Sequence, residues 1–99
     1  MVLLTKCLAV ELAQYNIRVN CLAPGTIGIK RNYETIPDYP KTWVPFIPLC
    51  REGQVGEVVK PVLSLISNEA SYITGQTFYA DGGETSHIPM PRSDFARLK

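Results

Sequence analysis

The side chains able to carry acid–base, nucleophilic or metal chemistry are few and widely spaced in this chain of 99 residues. The single histidine, His87, lies in a proline-containing C-terminal segment, and a surface histidine is a simpler interpretation than a serine–histidine–acid triad. The nine acidic residues have no spacing that pairs two of them for acid–base work. The motifs G-x-x-x-x-G-K-[ST], G-x-G-x-x-G and G-x-S-x-G, which bind phosphate, bind dinucleotides or present a nucleophilic serine, are absent. Residue chemistry alone therefore predicts no catalytic residue in this chain.

The three cysteines, Cys7, Cys21 and Cys50, contain no C-x-x-C pair. Their odd number and wide spacing argue against a metal site and against a disulfide framework. We expect three reduced, mostly buried cysteines, as in an intracellular protein. Cys21 falls in a predicted buried strand, where a thiol is inert.

Composition and charge exclude several functional classes. The chain is 45% hydrophobic and 19% charged with a net charge of +1, which leaves no electrostatic footprint for nucleic acid or an anionic membrane. No apolar run approaches the roughly 20 residues of a membrane span, and the N-terminus lacks the features of a secretory signal. We therefore expect a cytoplasmic protein without nucleic-acid or membrane partners.

The elements that would position any functional group begin with a helix over residues 1–15, followed by a strand over 17–22. Apolar residues recur at three- and four-residue steps along the helix and predict one buried stripe, and Asn16 is a plausible left-handed stop. Met1 enters this pattern with no capping residue before it. A helix that leads into a strand is the second half of a βαβ unit, so we expect a further strand before it.

The middle of the chain predicts a long loop over residues 26–50, because its prolines interrupt both helix and sheet. Its interleaved aromatic residues favour a lid that packs on something apolar, with one short helix at most. A second helix is predicted over 55–67, with Pro61 inside it and a buried stripe of five apolar residues: Val58, Val59, Val62, Leu63 and Ile66. The pattern ends with a strand over 77–80, a turn at Asp81–Gly83 and an extended or frayed tail over 84–99.

Taken in order, these segments resemble the C-terminal part of a short-chain dehydrogenase/reductase of the classical type. Arg18–Gly25 reads R-V-N-C-L-A-P-G, Ala70–Gly75 reads A-S-Y-I-T-G, and Asp81–Gly83 reads D-G-G. The resemblance extends over residues 1–83. It implies an α/β fold, the C-terminal portion of a doubly wound parallel Rossmann-like sheet whose N-terminal strands are absent from this chain, with residues 17–22 and 77–80 as adjacent parallel strands.

The same resemblance implies a cofactor and its contacts. The longer enzyme would use NAD or NADP to interconvert a secondary alcohol and a ketone, and it would form a homodimer or homotetramer through the second helix and last strand. The turn Pro24, Gly25, Thr26 and Ile27 would line the nicotinamide pocket, and the backbone near Ile27 would meet the carboxamide. Residues 26–50 would form the substrate lid, in which Trp43 and Phe46 either contact substrate or only pack.

The chain also departs from the family pattern. The G-x-x-x-G-x-G phosphate turn and the catalytic serine are absent, and none of the five tyrosines is followed four residues later by lysine. Because that lysine lowers the tyrosine pKa for proton exchange, the chain alone is expected to be inactive and to bind no cofactor tightly. Ile29 also stands where many members place a cofactor-contacting threonine, a role that Thr26 would have to take.

Three hypotheses follow. The chain is a fragment of a longer oxidoreductase, or it is a non-catalytic short isoform that associates with full-length subunits, or it folds alone as a small α/β module. The third is physically unfavourable, because two short parallel strands are marginal without neighbours and the first helix would leave its apolar stripe uncovered.

Overall fold

The computed structural model describes residues 1–88. In this range the helices and strands follow in the order α1 (Val2–Leu12), β1 (Cys21–Pro24), α2 (Lys30–Thr35), α3 (Val55–Leu65) and β2 (Thr77–Ala80). Single 3-10 turns lie at Ala13–Tyr15, Val44–Phe46, Asn68–Ala70 and Glu84–Ser86. The last of these is a short turn at the start of the segment predicted to be an extended or frayed tail, and residues 89–99 of that segment lie outside the described residues.

Strands β1 and β2 form a parallel pair, in which Cys21 faces Thr77 and Pro24 faces Ala80. The connection between them contains α3, as parallel neighbours require. The predicted pairing of two adjacent parallel strands is therefore confirmed, together with an α/β arrangement of a small parallel sheet and helices.

The first strand lies later in the chain than the predicted range of 17–22, because its partner β2 is only four residues long. Residues 17–20 are joined instead to the turn before β2. The Val19 N–H donates to Oγ1 of Thr74 at 3.0 Å, and the Gly75 N–H donates to the Val19 carbonyl at 2.7 Å. The Thr74 hydroxyl thus takes the place of a backbone carbonyl as the acceptor for the Val19 N–H.

Helix α1 buries a different face from the predicted apolar stripe. Its buried residues are Thr5 and Ala9, whereas Leu3 and Leu4 are exposed. The surface facing Ala9 is a turn at Gly75, where an added side-chain carbon would lie 3.4 Å from the Ala9 Cβ. Small residues suit this close approach. The left-handed stop at Asn16 is confirmed by its φ of 58°.

Helix α3 begins where the Glu57 carboxylate accepts a hydrogen bond from the Gln54 N–H at 3.0 Å, and it contains Pro61 as predicted. The prediction of a buried stripe is wrong. Val58 is half-buried, but four other members are exposed: Val59, Val62, Leu63 and Ile66. The helix packs on β1 and on the Asn68–Ala70 turn, and these two elements cover only part of its surface.

The buried apolar residues lie mainly in the loop after β1. Within the described range they are Ala9, Ile27, Tyr39, Ile47 and Ala70. The expectation of mostly buried cysteines is wrong for Cys7, which is exposed on α1, while Cys21 and Cys50 are half-buried and all three are free thiols. None of the helices in residues 1–88 is long and apolar enough to cross a membrane.

Candidate cofactor and lid site

The two strands end side by side, and the chain turns away from both of them at the same edge of the sheet. The Gly25 N–H donates to the Ala80 carbonyl at 3.0 Å and extends the ladder by one residue. A cavity of about 360 Å³ opens beside this edge. Its lining residues include Pro24, Gly25, Thr26 and Trp43. The carboxyl ends of parallel strands are where ligands bind in sheets of this type.

Gly25 lies directly against the turn that follows β2. A Cβ at this position would lie 2.6 Å from the Cβ and 2.8 Å from the Cα of Asp81, so no larger residue fits without moving the backbone. Asp81 accepts hydrogen bonds from the Gly83 N–H at 2.9 Å and the Thr85 N–H at 3.1 Å. Partial burial raises the pKa of Asp81, but hydrogen bonds from Thr85 and Gly83 outweigh it and the net pKa lies below the ordinary value. Asp81–Gly83 is thus a structural turn, as predicted.

Thr26 joins the two turns through its side chain. Its hydroxyl donates to Oε1 of Glu84 at 3.0 Å, and Glu84 also lines the cavity. Glu84 is a residue that the motif analysis did not single out. It comes directly after the D-G-G turn, and its position there is the signal that would have identified it.

Ile27 is held firmly by residues of the lid segment. Its carbonyl accepts from Nδ2 of Asn32 at 2.9 Å and from the Ile29 N–H at 2.9 Å, and also from the Tyr39 hydroxyl. The backbone around Ile27 pairs with Gly53 in a parallel bridge. Asn32 and Tyr39 could not be identified from the sequence, because side-chain hydrogen bonds to a backbone carbonyl within a loop leave no periodic pattern.

Two tyrosines of the lid segment meet edge to face, with ring centroids 4.9 Å apart. The hydroxyl of Tyr33 donates to the Glu52 carboxylate, and this hydrogen bond raises the pKa of Tyr33 to about 12. Burial raises the pKa of Tyr39. Both phenols therefore keep their protons at neutral pH, whereas a tyrosine that exchanges protons with substrate needs a lowered pKa.

The predicted site residues are only partly brought together. Pro24, Gly25, Thr26 and Trp43 surround the same cavity, and Trp43 is 44% exposed. Ile27 does not line this cavity and is 9% exposed; together with Thr26 it lines a separate cavity of about 460 Å³. Phe46 lies outside it, with its carbonyl oxygen 3.1 Å from Nε2 of His87. Residues 1–88 contain no group of three or more histidine, cysteine or acidic residues that could hold a metal ion.

Comparison with known proteins identifies the family. A family model described as Enoyl-(Acyl carrier protein) reductase matches residues 1–85. The 3-oxoacyl-[acyl-carrier-protein] reductase FabG of Chlamydia pneumoniae is 44% identical over 81 residues, which are 82% of this chain and 33% of that protein. The chain belongs to the short-chain dehydrogenase/reductase family. The family membership that the motifs indicated is therefore confirmed.

Other members of the short-chain dehydrogenase/reductase family match to a similar extent. Glucose 1-dehydrogenase 2 of Bacillus subtilis is 39% identical over 84 residues, 84% of this chain and 33% of that protein. A solved 4-hydroxyisoleucine dehydrogenase mutant complexed with NADH and succinate superposes with a TM-score of 0.78 at 33% identity, over 87% of this chain and 36% of that one. The chain thus spans about a third of the length of the curated relatives it matches.

The residues present fit one end of a nicotinamide cofactor. Gly25 lies at the carboxyl ends of β1 and β2, and the cavity beside it is lined by aromatic and polar side chains. The sequence holds no glycine-rich turn for the pyrophosphate. The fit is therefore to the nicotinamide end alone.

Proposed function

We propose that this chain is the C-terminal part of a cytoplasmic, NAD(P)-dependent oxidoreductase domain that interconverts a secondary alcohol and a ketone. The observation that carries this proposal is the cavity at the carboxyl ends of two adjacent parallel strands, bordered by Gly25 and by Trp43 of the loop over residues 26–50. When bound, the cofactor accepts or supplies the hydride.

In this proposal the residues of the chain bind and orient rather than catalyse. Pro24, Gly25, Thr26 and Ile27 line the nicotinamide end of the cofactor. The loop over residues 26–50 forms the substrate lid, in which Trp43 and Phe46 contact a small alcohol or ketone. Trp43 faces the shared cavity, which supports its role more directly than that of Phe46.

The proton that accompanies hydride transfer is exchanged by groups outside this chain. Tyr33 and Tyr39 have raised pKa values, and no tyrosine in the sequence precedes a lysine by four residues. The 99-residue chain alone is accordingly inactive and binds neither NAD nor NADP tightly.

Exposed apolar residues support both a larger domain and an oligomer. On α1, Leu3, Leu4 and Val10 are exposed, and we assign this surface to packing within the larger domain. Val59 and Leu63 of α3, with Ile66 directly after the helix, form a second exposed stripe at helical spacing. We assign that stripe to the interface of a homodimer or homotetramer.

The α3 stripe also favours a second candidate function. A non-catalytic short chain could associate with full-length subunits of a relative through the same surface. Co-purification of the 99-residue chain with such subunits, without added turnover, would favour this candidate over the first.

A hybrid subunit tests the first proposal. In it, the segment of the Chlamydia pneumoniae relative that this chain matches is replaced by this chain. We expect the hybrid to transfer hydride between a nicotinamide cofactor and members of a panel of secondary alcohols and ketones. A second hybrid that keeps the relative's own lid in place of residues 28–49 should act on the relative's substrate.

Two glycine substitutions provide matched controls for this test. Gly25→Val should abolish hydride transfer in both hybrids, because the new side chain collides with Asp81. Gly56→Ala should preserve it, because no atom lies within 4 Å of the added carbon. Hybrids that fold like the relative and transfer no hydride would contradict the proposal.

A further inference from the structure

We infer that Asn32 and Tyr39 are positioning residues for the nicotinamide, which they orient by fixing the backbone at Ile27. This inference rests on the proposed function, in which the backbone at Ile27 meets the carboxamide of the cofactor. Neither side chain needs to touch the cofactor for this role.

The two peptide groups that flank Ile27 are bonded at three of their four polar atoms. The Thr26 carbonyl accepts from the Gly53 N–H at 2.9 Å, and the Gly28 N–H donates to the Gly53 carbonyl at 2.9 Å. The Ile27 carbonyl accepts from Asn32 Nδ2 at 2.9 Å and from the Tyr39 hydroxyl. Within residues 1–88, the Ile27 N–H is the one atom of the four that makes no hydrogen bond.

Among these four atoms, the pattern leaves the Ile27 N–H as an unbonded donor for a ligand. A carboxamide oxygen is an acceptor that would pair with such a donor. The Ile27 carbonyl, by contrast, is already occupied by Asn32, Tyr39 and the Ile29 N–H. The Ile27 N–H is therefore the group available to the oxygen of the carboxamide.

Tyr39 is suited to holding this arrangement because it is buried, with 8% of its surface exposed. Its ring packs on Tyr33, whose own hydroxyl is directed to Glu52 instead of Ile27. The two tyrosine rings thus pack on each other, but only the Tyr39 hydroxyl donates a hydrogen bond to the Ile27 carbonyl. That difference makes Tyr33 a matched control for Tyr39.

Losing either donor should affect only the nicotinamide end of the cofactor. With one donor removed, the peptide group after Ile27 has fewer hydrogen bonds that fix its orientation. The Ile27 N–H on the adjacent peptide group is then held less precisely toward the carboxamide. ADP-ribose, which lacks the nicotinamide ring, makes no contact there. A general loss of folding would instead weaken NADH and ADP-ribose together.

The test compares these two ligands in the hybrid subunit. We expect Tyr39→Phe and Asn32→Asp each to raise the Kd for NADH roughly fivefold, the effect of one hydrogen bond, and to leave the Kd for ADP-ribose within about twofold. Tyr33→Phe should leave both Kd values unchanged. Asn32→Asp preserves the size of the side chain and Tyr39→Phe preserves the ring. The same effect in both variants would therefore be due to the lost hydrogen bond to the Ile27 carbonyl and not to a change in packing.

Several results would overturn the inference. Equal weakening of NADH and ADP-ribose would show a structural role only, and unchanged NADH binding in both variants would show no role. An unsubstituted hybrid that folds but binds NADH no more tightly than ADP-ribose would overturn the proposed function first, and the inference with it. The outcome for the unsubstituted hybrid thus separates the two failures.

Discussion

The guanidinium of Arg18 donates a hydrogen bond of 2.7 Å to the carbonyl of Leu65, the last residue of α3, which lies 47 residues later in the chain. The same side chain reaches the carbonyls of Ser67 at 3.1 Å and Ile73 at 3.3 Å. One arginine thus joins the segment before β1, the end of α3 and the approach to β2. These contacts give Arg18 a structural role.

Replacing Arg18 with lysine should destabilise the fold. A single ammonium group does not reproduce the planar fork that reaches three separate carbonyls. We expect the free energy of unfolding of the hybrid subunit to fall by about 1–3 kcal/mol, the range for hydrogen bonds made by a charged donor to half-buried acceptors. Urea denaturation measures this change. Arg31→Lys, at an exposed position on α2, serves as the control and should have no measurable effect.

Replacing Gly25 with alanine should destabilise the junction of the two turns. The added carbon would lie 2.6 Å from the Asp81 Cβ, and relieving this overlap costs about 1–3 kcal/mol. Gly56→Ala, in the open first turn of α3, should instead stabilise by up to about 1 kcal/mol. The thermal unfolding midpoints of the hybrid subunit with Gly25→Ala and with Gly56→Ala measure this difference in stability. Equal midpoints would show that the turns are not in contact.

The ion pair between Arg51 and Glu57 should make stability depend on pH in the acid range. The Arg51 guanidinium lies 2.8 Å from the Glu57 carboxylate, and its hydrogen bonds lower the pKa of Glu57 from 4.5 to about 2. A carboxyl group with a lowered folded-state pKa contributes stability above its unfolded pKa, and that contribution disappears as the pH falls from about 4.5 to about 2.

The Glu57→Gln variant isolates this effect. Between pH 4.5 and pH 2, the thermal unfolding midpoint of the unsubstituted hybrid subunit should fall more steeply than that of the hybrid subunit with Glu57→Gln. The difference should shrink in high salt because both groups are at the surface. Parallel curves across this range would exclude a contribution from the pair. Glu69→Gln, at an exposed position, controls for the general effect of removing one carboxylate.

The exposed stripe on α3 should control oligomeric state. Leu63 is 56% exposed and lies between Val59 and Ile66 on the same face. Leu63→Glu should shift the hybrid subunit to a lower mass in sedimentation, because a charge in an apolar interface stays unpaired. Lys60→Glu reverses a charge on the same helix and should leave the mass unchanged. Loss of assembly in both variants would point to a general charge effect.

The order of the helices and strands could be read from the sequence, but the surfaces they bury could not. The periodicity of α1 and the β-forming residues near Cys21 are local signals, and both elements exist. Which face of a helix is covered depends on what lies opposite. For α1 that is the turn at Gly75, which selects Thr5 and Ala9 over the larger leucines.

In the candidate site, too, some residues could be predicted from the sequence and others depend on tertiary contacts. Pro24, Gly25 and Thr26 were predicted from the resemblance of the R-V-N-C-L-A-P-G segment to the family, and the structure places them beside one cavity. Asn32 and Tyr39 were missed because they act through the Ile27 carbonyl, and any polar residue of the right length in a loop would look the same in sequence. Contacts that depend on how a loop folds back leave no trace in local spacing.

In the proposed function, this chain supplies the nicotinamide end of a cofactor site in a larger domain. The most direct measurement is a titration that follows the fluorescence of NADH or NADPH with the hybrid subunit and, in parallel, with the 99-residue chain alone. Under the proposed function, we expect a saturable fluorescence change for the hybrid and none for the isolated chain. A folded hybrid that gives no saturable change with either cofactor would contradict it.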